Sequence, residues 1–191
     1  MHLGMTLKGV TGLLMHNPRL ADPSDEYTRA LAEITSKGSK MTDADYAEAA
    51  RIQWYGGLYH DPDMGLYVPT WNVVRCLEQA AKVTRQGTTL VRALAVLSDR
   101  VPLVTGAPRD LAQLYARPEY SSRMSVGIQR GRVMRTRPIF RSWSLVLEME
   151  LMEDVLSYSN LVTIADLAGR SEGLGDARKL GFGRFSAEVA V

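Results

Sequence analysis

The stretch YVPTWNVVRCLEQAAK, residues 67–82, reads as a short strand that passes through a proline directly into a helix. This spacing of its apolar residues, every three or four positions, predicts a helix from Trp71 to about Thr84. Gln86-Gly87 then ends the helix, because glycine interrupts helical backbone. The apolar stripe consists of Val73, Val74, Leu77, Ala80 and Ala81. A helix with one apolar stripe needs a partner surface, so we expect it to cover one face of a sheet.

Strand patterns lie on both sides of this helix. Residues 2–14 alternate imperfectly, residues 143–151 alternate regularly, and residues 184–191 predict a last strand. A second helix is predicted around residues 160–168, whereas residues 88–105 fit a strand or a helix. The order is therefore strand, helix, strand region, strand, helix, strand. We predict an α+β protein with a ferredoxin-like or RRM-like antiparallel sheet covered by two helices.

The segment between the first strand and the first core helix, residues 16–69, is predicted to be a helical insertion. Ser24 or Asp25 caps one helix, and Thr42 begins a second helix with a near capping box. Residues 56–69 have the composition of a hairpin around an Asp-Pro-Asp-Met-Gly turn. The 191 residues suffice for one domain, 1–191, that carries this insertion and a second hairpin at 123–141.

The composition is that of a folded protein without disulfides. Apolar residues make up 46% of the chain and charged residues 23%. The one cysteine, Cys76, has no partner for a disulfide, and three scattered histidines give no metal-ligand spacing, so we expect no cofactor. The first 16 residues lack the pattern of a signal peptide, and no apolar run approaches a membrane span of about 18 residues. We expect a cytoplasmic protein with no membrane partner.

Positive charge is concentrated in GRVMRTRPIFRSW, residues 131–143. Between Glu119 and Glu148 the chain has no acidic residue and a formal charge of +6, although the whole chain carries only +2. The rest of the chain is therefore at −4. The six arginines are Arg123, Arg130, Arg132, Arg135, Arg137 and Arg141. Guanidinium groups bind phosphate oxygens bidentately, so this cluster predicts contact with a nucleic-acid backbone.

Strand alternation divides these arginines between two faces of the predicted hairpin. Arg130 and Arg132 share one face, and Arg135 and Arg137 share the other unless a bulge realigns them. Phe140 or Trp143 is placed to stack a base. Two other interpretations remain open: a solvated edge strand protected by charge, or arginines paired with the acidic surface at 22–48 of a neighbouring subunit.

A glycine-rich loop, GLGDARKLGFG at 173–183, precedes the last strand. Its glycines permit close backbone approach, and Arg178, Lys179 and Arg184 add positive charge, so phosphate contact is physically reasonable. The loop lacks the third glycine of G-x-G-x-x-G and the G-K-[ST] of a P-loop. A tight connection whose glycines merely turn the chain is the competing interpretation.

Two further groups of residues are candidates for function. Arg75 and Lys82 lie seven positions apart on one face of the first core helix, where they extend a basic track or form its solvated side. His16 and His60 lie in predicted loops away from the arginines and the glycine loop. No paired carboxylate, Ser/His or Cys/His spacing supports catalysis by either histidine, so we expect a protein that is not an enzyme.

Three stretches in this order resemble the RAMP superfamily, the ferredoxin-like proteins that include backbone subunits and processing endonucleases of CRISPR systems. GLGDARKLGFGRF, 173–185, looks like the family's C-terminal glycine-rich loop. YVPTWNVVRCLEQAAK is similar to the segment by which backbone subunits enter their first helix, and the arginine-rich hairpin sits where they carry their thumb. The chain is short for a backbone subunit, and a compact standalone relative, such as one encoded by a phage, fits equally well. The resemblance implies a nucleic-acid ligand and side-by-side assembly along the strand.

We therefore predict a non-catalytic protein that binds single-stranded nucleic acid with low sequence specificity. It would form homo-oligomers along the strand by head-to-tail contacts between the +6 stretch and the acidic remainder. The alternatives are a protein-interaction subunit or inhibitor that uses the same arginines against an acidic partner, and a metal-independent endoribonuclease that uses His16 or His60. The predicted contact residues are Arg130, Arg132, Arg135, Arg137, Arg141, Trp143, Arg75, Lys82, Arg178, Lys179 and Arg184.

Overall fold

The structure, a computed structural model, describes residues 1–128 and 131–191, and the chain folds into two compact units. The sheet unit consists of Met1–Leu13, His60–Ala107 and Phe140–Val191. The hairpin unit consists of Leu14–Tyr59 and Pro108–Ile139. The hairpin unit thus combines most of the predicted insertion with most of the predicted arginine-rich hairpin.

Ten strands and six α-helices make up the described residues, joined by short turns of other helix types. The strands are β1 His2–Gly9, β2 Leu13–Leu14, β3 His60–Asp61, β4 Gly65–Pro69, β5 Leu94–Val96, β6 Arg100–Pro102, β7 Ser121–Ile128, β8 Gly131–Phe140, β9 Ser144–Leu151 and β10 Phe185–Ala190. The helices are α1 Glu26–Thr35, α2 Asp43–Gly57, α3 Thr70–Val83, α4 Gly87–Ala93, α5 Leu111–Tyr115 and α6 Tyr158–Leu167.

The sheet unit is built on a four-stranded sheet of order β10-β1-β9-β5. Every neighbouring pair is antiparallel, and Met5 of β1 lies opposite Leu147 of β9 on one side and Val189 of β10 on the other. β1, α3 and β5 form a βαβ unit that is split by β9, and β9, α6 and β10 form a second unit split by β1. This is the ferredoxin-like arrangement predicted from the order of the elements.

Alternating side chains explain why this sheet has one buried face. Leu3, Met5 and Leu7 of β1 are fully buried. In β9 the buried positions alternate with Val146, Glu148 and Glu150, which face solvent. The buried residues of β9 are Leu145, Leu147, Met149 and Leu151. α3 buries the apolar stripe that its sequence predicts, apart from the half-buried Val74, and it adds Cys76 to the core.

Three boundaries differ from the sequence-based predictions. The first strand ends at Gly9, and the Trp143 indole packs against that glycine, where a Cβ atom would clash with the ring. Residues 88–105 contain both predicted alternatives, since α4 leads directly into β5 and a separate strand β6 follows. α2 continues to Gly57, so the first strand of the 56–69 hairpin is reduced to His60–Asp61.

The hairpin unit contains α1, α2, α5 and the β7–β8 hairpin. Asp25 caps α1 by accepting a hydrogen bond from the Tyr27 backbone, and Thr42 and Asp45 form the capping box of α2. Trp54 of α2 is fully buried, and its indole N–H donates to the Tyr120 carbonyl at 2.9 Å. In residues 1–128 and 131–191, no helix is long and apolar enough to cross a lipid bilayer.

Candidate nucleic-acid interface

The β7–β8 hairpin is a regular antiparallel ladder from Ser121–Pro138 to Ile128–Gly131. Arg132 lies opposite Gly127 and shares a face with Arg123, which lies opposite Thr136. Arg135 and Arg137 occupy the other face, as strand alternation predicts for an unbulged strand. Arg130 lies outside the described residues. The ladder thus presents guanidinium groups on both faces.

Arg132 is held in place by uncharged acceptors. Its Nε donates to Ser125 Oγ at 2.9 Å, and its terminal nitrogen donates to the Ser125 carbonyl at 3.3 Å. These bonds orient the guanidinium group without neutralising it, so its charge remains available to an anion. Arg135 and Arg137 are half-buried, whereas Arg141 is exposed in the bend after β8.

Burial corrects the prediction that Phe140 or Trp143 stacks a base. Phe140 is fully buried, and Trp143 is only 4% exposed. The Trp143 indole donates to the Thr11 carbonyl at 2.8 Å and packs edge-on against Phe185, with ring centroids 6.3 Å apart. Trp143 has the same parity as the core-facing leucines of β9, and this alternation directs its ring into the core. A base has no open ring face at either residue.

The exposed tryptophan is Trp71, in the first turn of α3, with 60% of its surface open to solvent. Arg75 follows one turn later, and Glu78 and Lys82 continue the same helix face. Glu78 accepts from both cations at 3.1 Å. The hydrogen bond from Lys82, together with the positive charges of Lys82 and Arg75, lowers the pKa of Glu78 against the opposing effect of burial. This helix face therefore places an exposed aromatic ring beside a net positive charge. In the sequence, the exposure of the ring is indicated by the position of Trp71 outside the apolar stripe.

The glycine loop depends on its glycines for backbone geometry. Gly173, Gly175, Gly181 and Gly183 all have positive φ. A Cβ atom on Gly173 would lie 2.8 Å from the Phe182 carbonyl oxygen, and one on Gly183 would overlap the Leu174 carbonyl. The Leu174 N–H donates to the Gly183 carbonyl at 2.9 Å, which closes the loop on itself. Glycine is therefore required at these positions by the backbone of the loop, and phosphate contact by the loop stays a prediction.

The cations of the glycine loop differ in exposure. Lys179 is exposed, whereas Arg178 and Arg184 are half-buried, and Arg184 donates to the Arg178 carbonyl at 3.3 Å. The Arg184 backbone N–H is bonded to Thr11 Oγ1 at 2.9 Å, which fixes the start of β10. The loop thus holds the solvated Lys179 beside Arg178 and Arg184, and these two arginines are linked by the hydrogen bond from Arg184 to the Arg178 carbonyl.

The predicted contact residues divide between the two units. The sheet unit holds Arg75, Lys82, Arg141, Trp143, Arg178, Lys179 and Arg184, and the hairpin unit holds Arg132, Arg135 and Arg137. His60 belongs to the sheet unit and His16 to the hairpin unit. Over the described part of the chain, no three His, Cys, Asp or Glu side chains are grouped so that they could hold a metal ion.

Comparisons with known proteins give a likeness in fold. No protein-family model and no curated protein matches the chain. A chain in the cryo-EM structure of the type III-B Cmr-beta bound to cognate target RNA is similar, with a TM-score of 0.52 and 11% sequence identity. The match covers 99% of this protein and 60% of that chain.

The fold is ferredoxin-like, and the likeness to a chain of the RNA-bound Cmr-beta structure agrees with this sheet. This protein spans three-fifths of the length of the chain it matches. Membership of the RAMP superfamily or of its backbone subunits, and an origin in a phage, stay predictions.

Proposed function

We propose that this protein binds single-stranded nucleic acid through phosphate contacts and does not cleave it. One observation carries the proposal: Arg135 and Arg137 share one face of a regular ladder, in a segment without acidic residues from 120 to 147. Like charges two positions apart on one face of a strand repel each other, and a phosphate backbone relieves that repulsion by binding both. Arg132 lies on the opposite face of the ladder and is not required for this contact.

The sheet unit supplies two further contact regions. Trp71 offers the stacking surface that the sequence assigned to Trp143, and Arg75 lies one helical turn away to bind the adjoining phosphate. Lys179, with Arg178 and Arg184 behind it, forms the second region at the glycine loop. Phosphate contacts and stacking carry little base information, so we expect weak sequence dependence.

RNA is the expected form of the ligand. The support is the likeness in fold to a chain from a structure that contains target RNA. A ribose 2′-hydroxyl is the group that distinguishes RNA from DNA at such a site. Comparison of the two polymers at equal length and sequence therefore belongs in the first experiment.

Assembly along the strand is a separate part of the proposal. The acid-rich segment 22–48 would meet the arginines of the next copy, in a head-to-tail contact that propagates. Asp25, Asp45 and Glu48 already pair with Arg19, Lys37 and Arg51 in the same unit, which reduces the acidic surface left for a second copy. We therefore expect assembly to require bound nucleic acid. A monomer in sedimentation velocity with excess long oligonucleotide would contradict it.

The direct test is fluorescence anisotropy with labelled single-stranded RNA and DNA across a salt series. Tight binding that weakens steeply between about 50 and 200 mM salt is expected. The double variant Arg135→Glu/Arg137→Glu should abolish most of it, and Arg117→Glu, an exposed arginine of the same unit outside the ladder, is the matched control. Absence of binding to either polymer would refute the proposal.

A further inference from the structure

A groove of about 660 Å³ lies within the hairpin unit, between the α1–α2 helices and the β7–β8 hairpin. Leu31 and Ala32 of α1 and Ala49 of α2 line its helical wall, and Arg123 and Arg132 line the strand wall. This volume is in the range of sites that take a ligand. The groove belongs to one compact unit; Arg123 and Arg132 of one hairpin face line it, and Arg135 of the other face is also among its lining residues.

Part of the groove lining is apolar and open to solvent. Ala32 of α1 is exposed, and Leu31 is half-buried. Tyr46 of α2 and Met134 of β8, which also line the groove, are 47% and 48% exposed. Exposed apolar side chains that gather in one groove indicate an interaction site.

Hydrogen bonds fix the base of the groove. Gln53 Oε1, on α2, accepts a 2.8 Å hydrogen bond from the Thr136 backbone N–H on β8, and both residues are buried. The capping box at Thr42 and Asp45 fixes the beginning of α2. The two walls are therefore linked before any ligand arrives, which lowers the entropic cost of binding.

The charge of the groove selects an anionic occupant. No Asp or Glu is among the described residues that line it, whereas Arg123, Arg132 and Arg135 are. The acidic residues of α2 nearest in sequence to the lining residues already form ion pairs: Asp45 pairs with Lys37, and Glu48 pairs with Arg51 at 2.7 Å. Arg132 is oriented by Ser125 without losing its charge. An occupant must thus combine apolar side chains with carboxylates or phosphates.

We propose that this groove binds an acidic amphipathic helix from a partner protein. Apolar residues at positions i, i+4 and i+7 of that helix would pack on Leu31, Ala32 and Ala49, and its carboxylates would form bidentate pairs with Arg123 and Arg132. The ten residues of α1 span about 15 Å, which matches roughly three turns of such a helix.

A nucleobase fits the groove less well than this helix does. The helical wall carries five apolar side chains, which favour the apolar face of a helix over a polar base; they are Leu31, Ala32, Met41, Ala49 and Ala50. In this proposal Arg123 and Arg132 bind the protein helix and Arg137 binds the nucleic acid, whereas Arg135, which shares the face of Arg137 and also lines the groove, adjoins both. The groove proposal does not require the nucleic-acid proposal to be true.

The test uses the full chain and a fluorescein-labelled amphipathic peptide of roughly 14 residues, with leucine at i, i+3, i+4 and i+7 and glutamate on its other face. Two matched peptides replace every glutamate by lysine or every leucine by serine. We expect anisotropy to show saturable binding of the acidic amphipathic peptide alone. Equal binding of the lysine peptide, or no binding of the acidic one, overturns the proposal.

Two variants locate the site on the protein. Ala32→Trp fills the groove from an exposed position, and Arg123→Glu reverses one of its charges; each should weaken peptide binding about tenfold or more. Ala47→Trp and Arg117→Glu, both exposed in the same unit and outside the groove, should leave it unchanged. Unaltered melting temperatures verify folding in all four variants.

Single-stranded RNA is the competing occupant in the same assay. Ala32→Trp should leave RNA affinity unchanged, and Lys179→Glu should weaken RNA binding without affecting the peptide. If Ala32→Trp abolishes RNA binding and RNA displaces the peptide, the groove is a nucleic-acid site and the proposal is wrong. Peptide binding that persists while RNA fails to bind would refute the proposed function alone.

Discussion

The thiol of Cys76 on α3 donates to the carbonyl oxygen of Gly173 at 3.2 Å, and this bond ties the first core helix to the glycine loop. Cys76 is almost completely buried, and burial raises the pKa of its thiol to about 12. The thiol therefore stays protonated in the folded protein over the whole neutral range. It stabilises the loop and has no thiolate with which to act as a nucleophile.

We expect Cys76 to be unreactive toward a thiol reagent such as dithionitrobenzoate at pH 8 until the protein unfolds. Because the folded pKa lies above the unfolded value of 9, the folded state holds the proton more tightly. The contribution of Cys76 to stability is complete below about pH 9 and declines as the pH rises toward 12. The rate of thiol labelling is followed by absorbance at successive guanidinium concentrations. Rapid labelling of the native protein would show the thiol to be accessible and contradict the prediction.

Gly183→Ala should destabilise the protein by about 2–5 kcal/mol, because its φ is +71° and an added Cβ atom would overlap the Leu174 carbonyl. Gly181 is the matched control: its φ is +89°, but no heavy atom lies within 4 Å of an added Cβ atom. Gly181→Ala should cost only about 1–2 kcal/mol of backbone strain. Urea unfolding followed by circular dichroism gives both values, and equal losses would contradict the close packing of Gly183.

Asp45 should titrate near pH 2 in the folded protein. The hydrogen bond from Lys37 is the largest cause of its lowered pKa, and hydrogen bonds from Thr42 add to it. A depressed folded pKa means that this group stabilises the capping box above the unfolded value near 3.8 and loses that effect as the pH falls toward 2. The carboxyl ¹³C chemical shift of Asp45, followed against pH, measures the titration midpoint. Lys37→Ala should raise this midpoint, and Lys40→Ala, the control, should not. An unchanged midpoint in Lys37→Ala would rule out the Lys37 bond.

Trp71→Ala should weaken binding of single-stranded RNA about fivefold to a hundredfold and leave the melting temperature unchanged. The residue is exposed, so its removal creates no cavity. Trp71→Phe should retain part of the affinity because it keeps an aromatic ring, and Val83→Ala, at an exposed position at the other end of α3, should have no effect. Full RNA affinity in Trp71→Ala would remove stacking from the proposal.

Arg135→Gln and Arg137→Gln should each reduce the slope of log affinity against log salt by about 0.7, since each removes one phosphate contact with a single strand. Arg123→Gln, on the opposite face of the same hairpin, should leave the slope unchanged. Equal effects of all three substitutions would show that RNA contacts both faces, and the assignment of Arg123 to the protein helix would then be wrong.

Local patterns were sufficient for much of the fold. The stripe in α3, the alternation in β9 and the caps of α1 and α2 depend on residues within a few positions of each other, and each forms as predicted. The division of Arg132 from Arg135 and Arg137 between two faces follows from the same local rule. A β-strand alternates wherever it lies, provided that no bulge interrupts it.

Residues 88–105 were beyond local rules, and for the tryptophans the local signals of apolar stripe and strand parity left the extent of burial undecided. The apolar run at 88–105 contains both a helix and a strand, and only pairing of β5 with β9 decides where one becomes the other. Trp71 and Trp143 are equally hydrophobic in the sequence, but Trp143 enters the core beside Phe185 whereas Trp71 remains in solvent. Burial depends on which surfaces meet, and those surfaces come from distant parts of the chain.

By itself, the sequence determined the order of the six core elements, the faces of the arginine-rich hairpin and the glycines of the terminal loop, because periodicity and backbone freedom are local properties. The tertiary structure alone decided the strand order β10-β1-β9-β5, the exposure of Trp71 and the groove beside Arg123. Each of these arises from packing between residues tens of positions apart, whose contacts depend on how the whole chain balances apolar burial against the entropy of closing loops.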